Sequence, residues 1–394
     1  MGIETGERQN ESKVIAQDWE WRPLSDIVDI VSGKPYEQQV KPDGPYVLLT
    51  MDSIGLDGKF KQEQKALRFF DGSLIRGDIV AVLDDIAHGK LLGLCDVVPA
   101  DNIYVLNQRM ARLRAKRALN PNFVRMQINA RQSHFQKRGQ GTSQRHIYKR
   151  DFDDLVIPLP TRIEQDAIAE ALVDADSYIE SLEQLLAKKR DIRQGMMQEL
   201  LTGERRLPGF NNAWSLQPLG LLADVIMGQS PISSHYNTQG FGLPLIQGNA
   251  DIKNRETIKR VFTTEIGKKG KAGDILMSVR APVGEISRTI FDVCLGRGVC
   301  AIRYRNNFLY HALIAKESVW VSISKGSTFD SVTSHDVKTL MIDVPNDEKE
   351  QIAIATILQD MDAELNELQK RITKARDIKQ GMMQNLLTGR IRLV

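Results

Sequence analysis

The sequence predicts a mixed α+β protein in which two α/β domains, arranged as a tandem duplication, are joined by two long antiparallel coiled-coil helices with pseudo-two-fold symmetry. Three observations predict this fold class. A helical segment occurs twice, its apolar residues follow a coiled-coil spacing, and a shorter framework recurs ahead of each copy. The length of 394 residues also favours two globular domains, since single domains usually contain roughly 100 to 200 residues.

The repeated helical segment establishes the duplication. Residues 190–198 recur as residues 376–384 with one change, from Arg193 to Lys379, and both copies continue to a Leu-Leu-Thr-Gly end. The match has no gaps at an offset of 186 residues (376 − 190 = 186) and begins at Glu164 in the first copy. Such a match indicates an internal repeat rather than two unrelated helices.

Apolar residues within each copy fall at alternating intervals of four and three. This spacing keeps them on one narrow side of a helix and is typical of a coiled-coil seam. About 40 residues at about 1.5 Å per residue would form a helix of about 60 Å. Because the two stripes share one phase, we expect them to pack against each other. The predicted pairing positions are Ile168, Leu172, Ile179, Leu182 and Leu186 in the first helix and Ile354, Leu358, Leu365, Leu368 and Ile372 in the second.

A shorter framework recurs ahead of each helix. The matched residues, at an offset of 195 (214 − 19 = 195), are Trp19, Leu24, Asp29 and Gly33 in the first half and Trp214, Leu219, Asp224 and Gly228 in the second. The sequences between these anchors diverge, which indicates one scaffold with two recognition tasks. The predicted segments are a polar N-terminal stretch at 1–18, a first domain at 19–160, a central helix at 161–205, a second domain at 206–346 and a C-terminal helix at 347–394.

Each domain combines strand and helix patterns. The β-rich runs at 46–49 and 78–83 are separated by Gly, Pro and Asp, whereas residues 123–131 and 309–321 have helical spacing. This alternation predicts a mixed fold for both domains.

Composition narrows the class of protein. Charged residues make up 26% of the chain, and its three cysteines lack the paired spacing of a zinc site. We therefore expect reduced thiols in a cytoplasmic protein without a membrane anchor. Twelve Lys and Arg residues lie between Arg109 and Arg150 without one Asp or Glu. This run predicts a positive surface suited to phosphates, with a solvated basic helix face as the alternative.

The order of domain, helix, domain and helix resembles the specificity subunit of type I restriction-modification enzymes over essentially the whole length. The resemblance rests on the Glu-Gln start of each helix, the Gly-Met-Met-Gln and Leu-Leu-Thr-Gly ends, and the Trp…Leu…Gly opening of each domain. It implies that each domain is a target-recognition domain for one half of a split DNA target, and that the helices form an antiparallel spacer.

The resemblance also implies partners and cofactors. Two methyltransferase (modification) subunits would dock on the paired helices, and restriction/translocase subunits would join to form the nuclease. S-adenosylmethionine, ATP and Mg²⁺ are expected on those partner subunits, with no cofactor and no metal on this chain. The duplication supports this independently, because pseudo-two-fold symmetry matches two half-sites on double-stranded DNA. Since the domains differ, the target should be asymmetric and bipartite.

Candidate DNA-binding residues follow from chemistry and position. Glycines, cations and amide groups combine in the loop at 137–146, where cations suit phosphates and amide or guanidinium groups suit base edges. A solvated connector is the alternative. The candidates of the first domain are Lys34, Tyr36, Arg131, Lys137, Arg138, Gln140, Thr142, Ser143, Gln144, Arg145 and His146. Those of the second domain are Gln229, Ser230, Arg280, Lys325, Ser327, Thr328 and Asp330, and a surface ion pair is the alternative for Arg280.

Catalytic motifs are weak in this sequence. It has no phosphate-binding Gly-x-x-x-x-Gly-Lys-Ser/Thr loop, and the run starting at Asn120 lacks the second proline of an adenine methyltransferase motif. An alternative hypothesis is a metal-dependent nuclease that uses Asp43, Glu63 and Lys65, a spacing that short acidic patterns also reach by chance. A structural scaffold that does not read DNA is a further alternative. We expect a non-catalytic subunit.

Overall fold

A computed structural model of the protein describes residues 18–86, 89–116, 118–324 and 331–393. The chain divides into two compact units inside both long helices. Unit 1 contains the described residues up to 182 together with 371–393, and unit 2 contains those of 183–370. Each unit therefore combines one α/β domain with part of each long helix. The predicted N-terminal segment, apart from residue 18, lies outside the described residues.

The helices vary widely in length. In chain order they are α1 (Leu24–Ile27), α2 (Pro121–Ala130), α3 (Gln132–Arg138), α4 (Lys149–Asp153), α5 (Arg162–Thr202), α6 (Leu219–Leu222), α7 (Phe308–Ala315), α8 (Glu317–Ser324), α9 (Ser334–Thr339) and α10 (Glu348–Leu386). The two long helices, α5 and α10, match the predicted repeats. None of the helices within the described ranges is long and apolar enough to cross a membrane.

Two of the shorter helices show how local sequence sets the boundaries. At the start of α2, Pro121 occupies the first turn and the side chain of Asn120 accepts a hydrogen bond from the N–H of Phe123 (3.1 Å). The helical spacing at 309–321 belongs to two helices rather than one, because Lys316 leaves helical geometry and separates α7 from α8. The N–H of Lys316 closes the end of α7 on the carbonyl of Leu313 (3.1 Å).

Unit 1 contains two principal sheets. Its strands are β1 (Glu20–Pro23), β2 (Val28–Ser32), β3 (Tyr46–Leu49), β4 (Lys65–Leu67), β5 (Ile79–Val82), β6 (Asp84–Asp85), β7 (Cys95–Val97), β8 (Tyr104–Leu106), β9 (Met110–Ala115), β10 (Arg145–His146) and β11 (Val156–Leu159). An antiparallel sheet has the order β2-β9-β5-β7, and a mixed sheet has the order β4-β3-β8. Two further antiparallel pairs are β1-β11 and β6-β10.

Unit 2 repeats this topology with additions. Its strands are β12 (Trp214–Pro218), β13 (Asp224–Met227), β14 (Tyr236–Asn237), β15 (Leu243–Ile246), β16 (Ile252–Lys253), β17 (Glu256–Thr257), β18 (Phe262–Thr263), β19 (Lys269–Gly270), β20 (Ile275–Ser278), β21 (Ile286–Arg288), β22 (Val293–Leu295), β23 (Val299–Arg303) and β24 (Met341–Pro345). The order β13-β23-β20-β21 corresponds to β2-β9-β5-β7, and β18-β15-β22 corresponds to β4-β3-β8. The pair β12-β24 corresponds to β1-β11, so the predicted duplication of a mixed fold is confirmed.

The long helices run antiparallel within each unit. In unit 1, Lys379 forms an ion pair with Asp176 at 2.6 Å, and Arg371 donates a hydrogen bond to the hydroxyl of Tyr178 (3.0 Å). Residue numbers thus rise along α5 as they fall along α10. The corresponding ion pairs of unit 2 join Lys189 to Glu364 and Arg193 to Asp362. Arg193 and Asp362 are the repeat equivalents of Lys379 and Asp176 at the offset of 186.

The predicted seam is buried, although its ends pack differently from expectation. Most of the ten predicted pairing positions are buried, and Leu365 is half-buried. In unit 1, Ile168 and Leu172 pack with Trp19, Phe123 and Leu386. The first turns of the stripe therefore face the core of a domain as well as the other helix. The first turns of α10 do the same in unit 2, where Ile354 and Leu358 join the main core.

The cysteines lie in these cores. Cys95, Cys294 and Cys300 are free and buried. Burial raises the pKa of the Cys300 thiol to about 12 and also raises the pKa of Cys95. Both thiols are therefore protonated and unreactive at neutral pH.

Candidate nucleic-acid interface

The predicted contact loop of unit 1 is a tight hairpin. Gln140 and His146 exchange two backbone hydrogen bonds of 2.9 Å, which close the loop at its base. Gly141 has a φ of +104°, and a Cβ at this position would lie 2.0 Å from the carbonyl oxygen of Gln144. Only glycine allows this turn. The exposed tip consists of residues 141–144, which include the hydroxyl groups of Thr142 and Ser143.

Several of the predicted contact residues are engaged within the loop. The Arg145 guanidinium donates hydrogen bonds to the carbonyl oxygens of Gln136 (2.9 Å) and Gly139 (2.7 Å). Arg138 contacts the ring nitrogen Nδ1 of His134 at 3.0 Å. These arginines brace the backbone that presents the tip, and DNA contact by them stays a prediction. Of the other predicted cations, Lys137 is exposed and Arg131 is half-buried.

A partly buried carboxylate lies beside the hairpin. Asp84 accepts a hydrogen bond from the side chain of Gln144 (3.1 Å) and lies 3.7 Å from the guanidinium of Arg109. Burial raises the pKa of Asp84, while Arg109 and His146 oppose this shift. The strand pairing of β6 with β10 holds these groups together. Unit 1 thus presents an acceptor group next to its basic loop.

The basic run between Arg109 and Arg150 is not an unopposed positive surface. Several of its arginines form ion pairs with aspartates from distant parts of unit 1, namely Arg109 with Asp84, Arg112 with Asp29, Arg114 with Asp78 and Arg125 with Asp96. The prediction from the charge count alone is wrong for these positions, because the compensating aspartates come from other parts of the sequence.

Two further predicted contact residues, Lys34 and Tyr36, follow β2 in unit 1. Lys34 is exposed, and its N–H bonds to the carbonyl of Leu106 (3.2 Å). The ring of Tyr36 packs edge-on against Phe69, with 5.0 Å between ring centroids. Burial and the neighbouring Asp71 raise the pKa of the Tyr36 hydroxyl. Lys34 is therefore free to extend outward, whereas Tyr36 also has a packing role.

Unit 2 brings two of its predicted residues into one cavity. The cavity has a volume of about 420 Å³ and contains Ser230 and Arg280 in its lining. The remaining lining residues are Tyr236, Gln247, Gly248, Asn249, Ala281, Arg297 and Gly298. Arg297 is not among the predicted residues, although the Gly-Arg-Gly run at 296–298 is a signal for a backbone that turns tightly around an exposed side chain. The cavity joins two exposed guanidinium groups to amide and hydroxyl groups.

Close backbone packing forms the wall of this cavity. A Cβ on Gly298 would lie 2.0 Å from the carbonyl oxygen of Gln247, and a Cβ on Gly228 would lie 2.1 Å from that of Gly296. The N–H of Arg297 donates a hydrogen bond to the hydroxyl of Ser230 (3.3 Å). The position of the Arg297 backbone is therefore fixed by its neighbours.

The remaining predictions for unit 2 fall outside this cavity. Gln229 is exposed, and its N–H bonds to the carbonyl of Leu295 (2.9 Å). Four predicted contact residues lie outside the described residues, namely Lys325, Ser327, Thr328 and Asp330.

The residues of the nuclease alternative have ordinary surface settings. Asp43 forms an ion pair with Arg68, which lowers the pKa of the Asp43 carboxyl. Glu63 and Lys65 are exposed. Within the described ranges, no group of three or more His, Cys, Asp and Glu residues is placed to hold a metal ion. The geometry gives this alternative no support.

Each half of the chain matches the same family of known proteins. A family model described as the type I restriction modification DNA specificity domain matches residues 16–188 and again residues 211–375. The chain is 28% identical to the putative type I restriction enzyme MjaX specificity subunit of Methanocaldococcus jannaschii, over 98% of this chain and 96% of that protein. It is 23% identical to the MjaVIII specificity subunit of the same organism, over 96% and 94%.

Solved structures share the fold. The type I restriction-modification system S subunit from M. genitalium matches with a TM-score of 0.66 at 17% identity, over 94% of this chain and 96% of that one. A chain from a structural study of complex assembly and conformational transition in the type I R-M system matches with a TM-score of 0.61 at 24% identity, over 96% and 99%. Both likenesses extend over the two halves and the long helices.

Proposed function

Because this chain belongs to the type I restriction-modification DNA specificity family, we propose that its two units each read one half of an asymmetric bipartite DNA target. It is the sequence-specificity subunit of such a system. We propose that α5 and α10 set the length of the unread spacer and hold two methyltransferase subunits, and that restriction subunits join that complex.

The observation that carries this proposal is that the two units share a structural frame, which includes an equivalent Arg–Glu ion pair, but present different side chains on it. In unit 2, Arg206 pairs with the buried carboxylate of Glu350 (2.7 Å), and in unit 1 the equivalent Arg392 pairs with Glu164. Both pairs are related by the offset of 186 (392 − 206 = 186; 350 − 164 = 186). The side chains on this frame differ at corresponding positions, since Asp84 stands two residues after β5 in unit 1 and Arg280 stands two residues after β20 in unit 2. One frame with two surfaces suits two different half-sites.

The exposed faces of the long helices support docking of two identical partners. Ile192 is 44% exposed and its equivalent Ile378 is 55% exposed. Three residues later each helix has a glycine, Gly195 or Gly381, and apart from its chain neighbours and the backbone of its own helix no described atom would lie within 4 Å of a Cβ at either position. A glycine inside a helix costs about 1 kcal/mol relative to alanine. Each unit has such a glycine close to an exposed isoleucine. This arrangement would allow one partner helix to approach each unit closely.

We infer that this chain has no catalytic activity of its own. The partner subunits would supply methyl transfer with S-adenosylmethionine and cleavage with ATP and Mg²⁺. The complex would act in the cytoplasm, where its DNA lies. Incubation of the isolated chain with DNA and Mg²⁺ should give no cleavage, and the variant Asp43→Ala should behave identically. Cleavage that is lost in Asp43→Ala would favour the nuclease alternative.

Mapping of methylated bases tests the proposed reading function. The chain is assembled with the methyltransferase subunits of its own system, and modified positions in a randomised DNA library are sequenced. We expect one split, asymmetric motif with a fixed spacer. Truncation of the hairpin tip, Thr142→Gly with Ser143→Gly, should change selection in one half-site only.

The matched control is Lys41→Ala, which removes an exposed cation of unit 1 outside the hairpin. It should leave the motif unchanged. A continuous motif, or methylation that does not depend on this chain, would contradict the proposal.

A further inference from the structure

One position in the two units has opposite charge. Matching backbone hydrogen bonds show that Leu83, directly after β5, and Val279, directly after β20, are equivalent residues. These bonds are Leu83 N–H to Arg109 O (3.0 Å) and Ile147 N–H to Leu83 O (2.9 Å) in unit 1, and Val279 N–H to Gly298 O (2.9 Å) and Val332 N–H to Val279 O (3.0 Å) in unit 2. The next residue is Asp84 in unit 1 and Arg280 in unit 2.

The side chains around Asp84 and around Arg280 also differ. In unit 1, Asp84 is flanked by Arg109 and Gln144, which engage its carboxylate. In unit 2, Arg280 shares its cavity with Arg297. Neither of these two arginines forms an ion pair with any residue that the structure describes, and both are exposed. Their hydrogen-bond donors are thus available to a ligand.

The two charged side chains in the cavity lining, Arg280 and Arg297, are hydrogen-bond donors. Gln247 donates a hydrogen bond to the hydroxyl of Tyr236 (3.1 Å), and the glycines on either side of Arg297 fix its backbone against residues 247 and 248. Two guanidinium groups beside this wall suit a ligand rich in acceptors. Guanine presents two acceptors, O6 and N7, on its major-groove edge. Arginine and lysine are their usual partners, and only the planar fork of arginine offers two donors in a fixed geometry.

We propose that Arg280 and Arg297 form a guanine-reading site for the half-target bound by unit 2. At the equivalent point of unit 1, Asp84 excludes guanine, because a carboxylate has no donor for O6 and N7. The two half-sites therefore differ at corresponding positions, with guanine in one and a base that carries an exposed amino group in the other. This inference rests on the proposed reading function and adds the base that is read.

Position-by-position methylation of a target library tests this site. The complex with its methyltransferase subunits is compared for the original chain, Arg280→Lys and Arg297→Lys. Lysine retains the charge but not the planar fork, so a base reader should lose selectivity while a phosphate contact should be largely preserved. We expect selection for one guanine to fall by about 5- to 150-fold, the range of one bidentate contact, with other positions unchanged.

Further variants separate the outcomes. The control Lys253→Gln removes an exposed cation of unit 2 outside the cavity and should leave selection unchanged. Asp84→Asn should alter selection only in the other half-site. Uniform weakening across all sequences in Arg280→Gln, together with a smaller salt slope, would assign the arginines to phosphates and overturn the inference. A split motif without a guanine that responds to either arginine would also overturn it, whereas the absence of any split motif would refute the proposed function itself.

Discussion

The guanidinium of Arg206 donates hydrogen bonds of 2.7 and 2.8 Å to the two carboxylate oxygens of Glu350, a side chain with no exposed surface. Arg206 also donates to the carbonyl of Asn212 (2.8 Å), so it links the segment after α5 to the first turn of α10. Removal of one partner from a buried pair leaves an uncompensated charge, which is more costly than the pair is stabilising.

Arg206→Ala should therefore destabilise unit 2. We expect the free energy of unfolding to fall, because the Glu350 carboxylate, which has no exposed surface, loses the cation that compensates it. Urea denaturation measures the change. The neighbouring Arg205→Ala breaks only an exposed pair with Glu199 and should cost under about 1 kcal/mol. Equal losses in both variants would show that burial of Glu350 has no special importance.

Replacement of Gly195 by alanine should stabilise the free chain. Helix propensity favours alanine by about 1 kcal/mol, and the space for its methyl group is open. The same methyl group should weaken the binding of a methyltransferase subunit, because it obstructs the close approach of a partner helix. Denaturant unfolding and a binding titration measure the two effects. Gln194→Ala, on an exposed neighbour, should leave binding intact, and tighter binding of the Gly195→Ala chain would refute this account.

His311 should make stability depend on acid pH. Its side chain is 1% exposed, and burial lowers the pKa of His311 from 6.5 to about 4, with Asp362, Arg193 and Arg288 as the neighbouring charges. The unfolded chain therefore binds a proton below about pH 6.5 that the folded chain does not. Stability is fully present above pH 6.5 and falls towards pH 4, by up to about 3 kcal/mol.

The measurement is the free energy of unfolding between pH 4 and 7. His311→Leu should flatten the curve in this window, whereas His335→Ala, at an exposed histidine, should retain the slope. An unchanged slope in His311→Leu would assign the acid sensitivity to other groups.

Arg145→Ala should loosen the hairpin of unit 1 without unfolding the unit. The variant removes the donors to the carbonyls of Gln136 and Gly139, which together stabilise the local fold by about 1–3 kcal/mol. Hydrogen exchange of residues 136–148 should accelerate, while the melting temperature changes little. Lys149→Ala, at an exposed position, serves as the control. Unchanged protection in Arg145→Ala would show that strand pairing alone holds the loop.

The sequence predicted the long helices well because their signals are local. Spacing of apolar residues and an ungapped offset are visible without any three-dimensional information, and burial at Ile168 and Leu358 follows from them. The ion pairs of the arginines could not be predicted from the sequence in this way. Arg112 and Asp29 are 83 residues apart, so a charge count along the chain cannot include their pairing. Arg297 lines the same cavity as Arg280, and this placement depends on tight glycine packing that the sequence does not reveal.

Unit 1 and unit 2 differ in how soon a ribosome could complete them. Unit 2 is assembled from one uninterrupted stretch, 183–370, and has all its parts as soon as that stretch has emerged. Unit 1 needs residues 371–393, which are synthesised after the whole of unit 2. Until Arg392 is made, Glu164 lacks the guanidinium with which it pairs in the complete chain. The α/β domain of unit 1 is synthesised before unit 2, yet unit 1 is the later of the two to have all its residues.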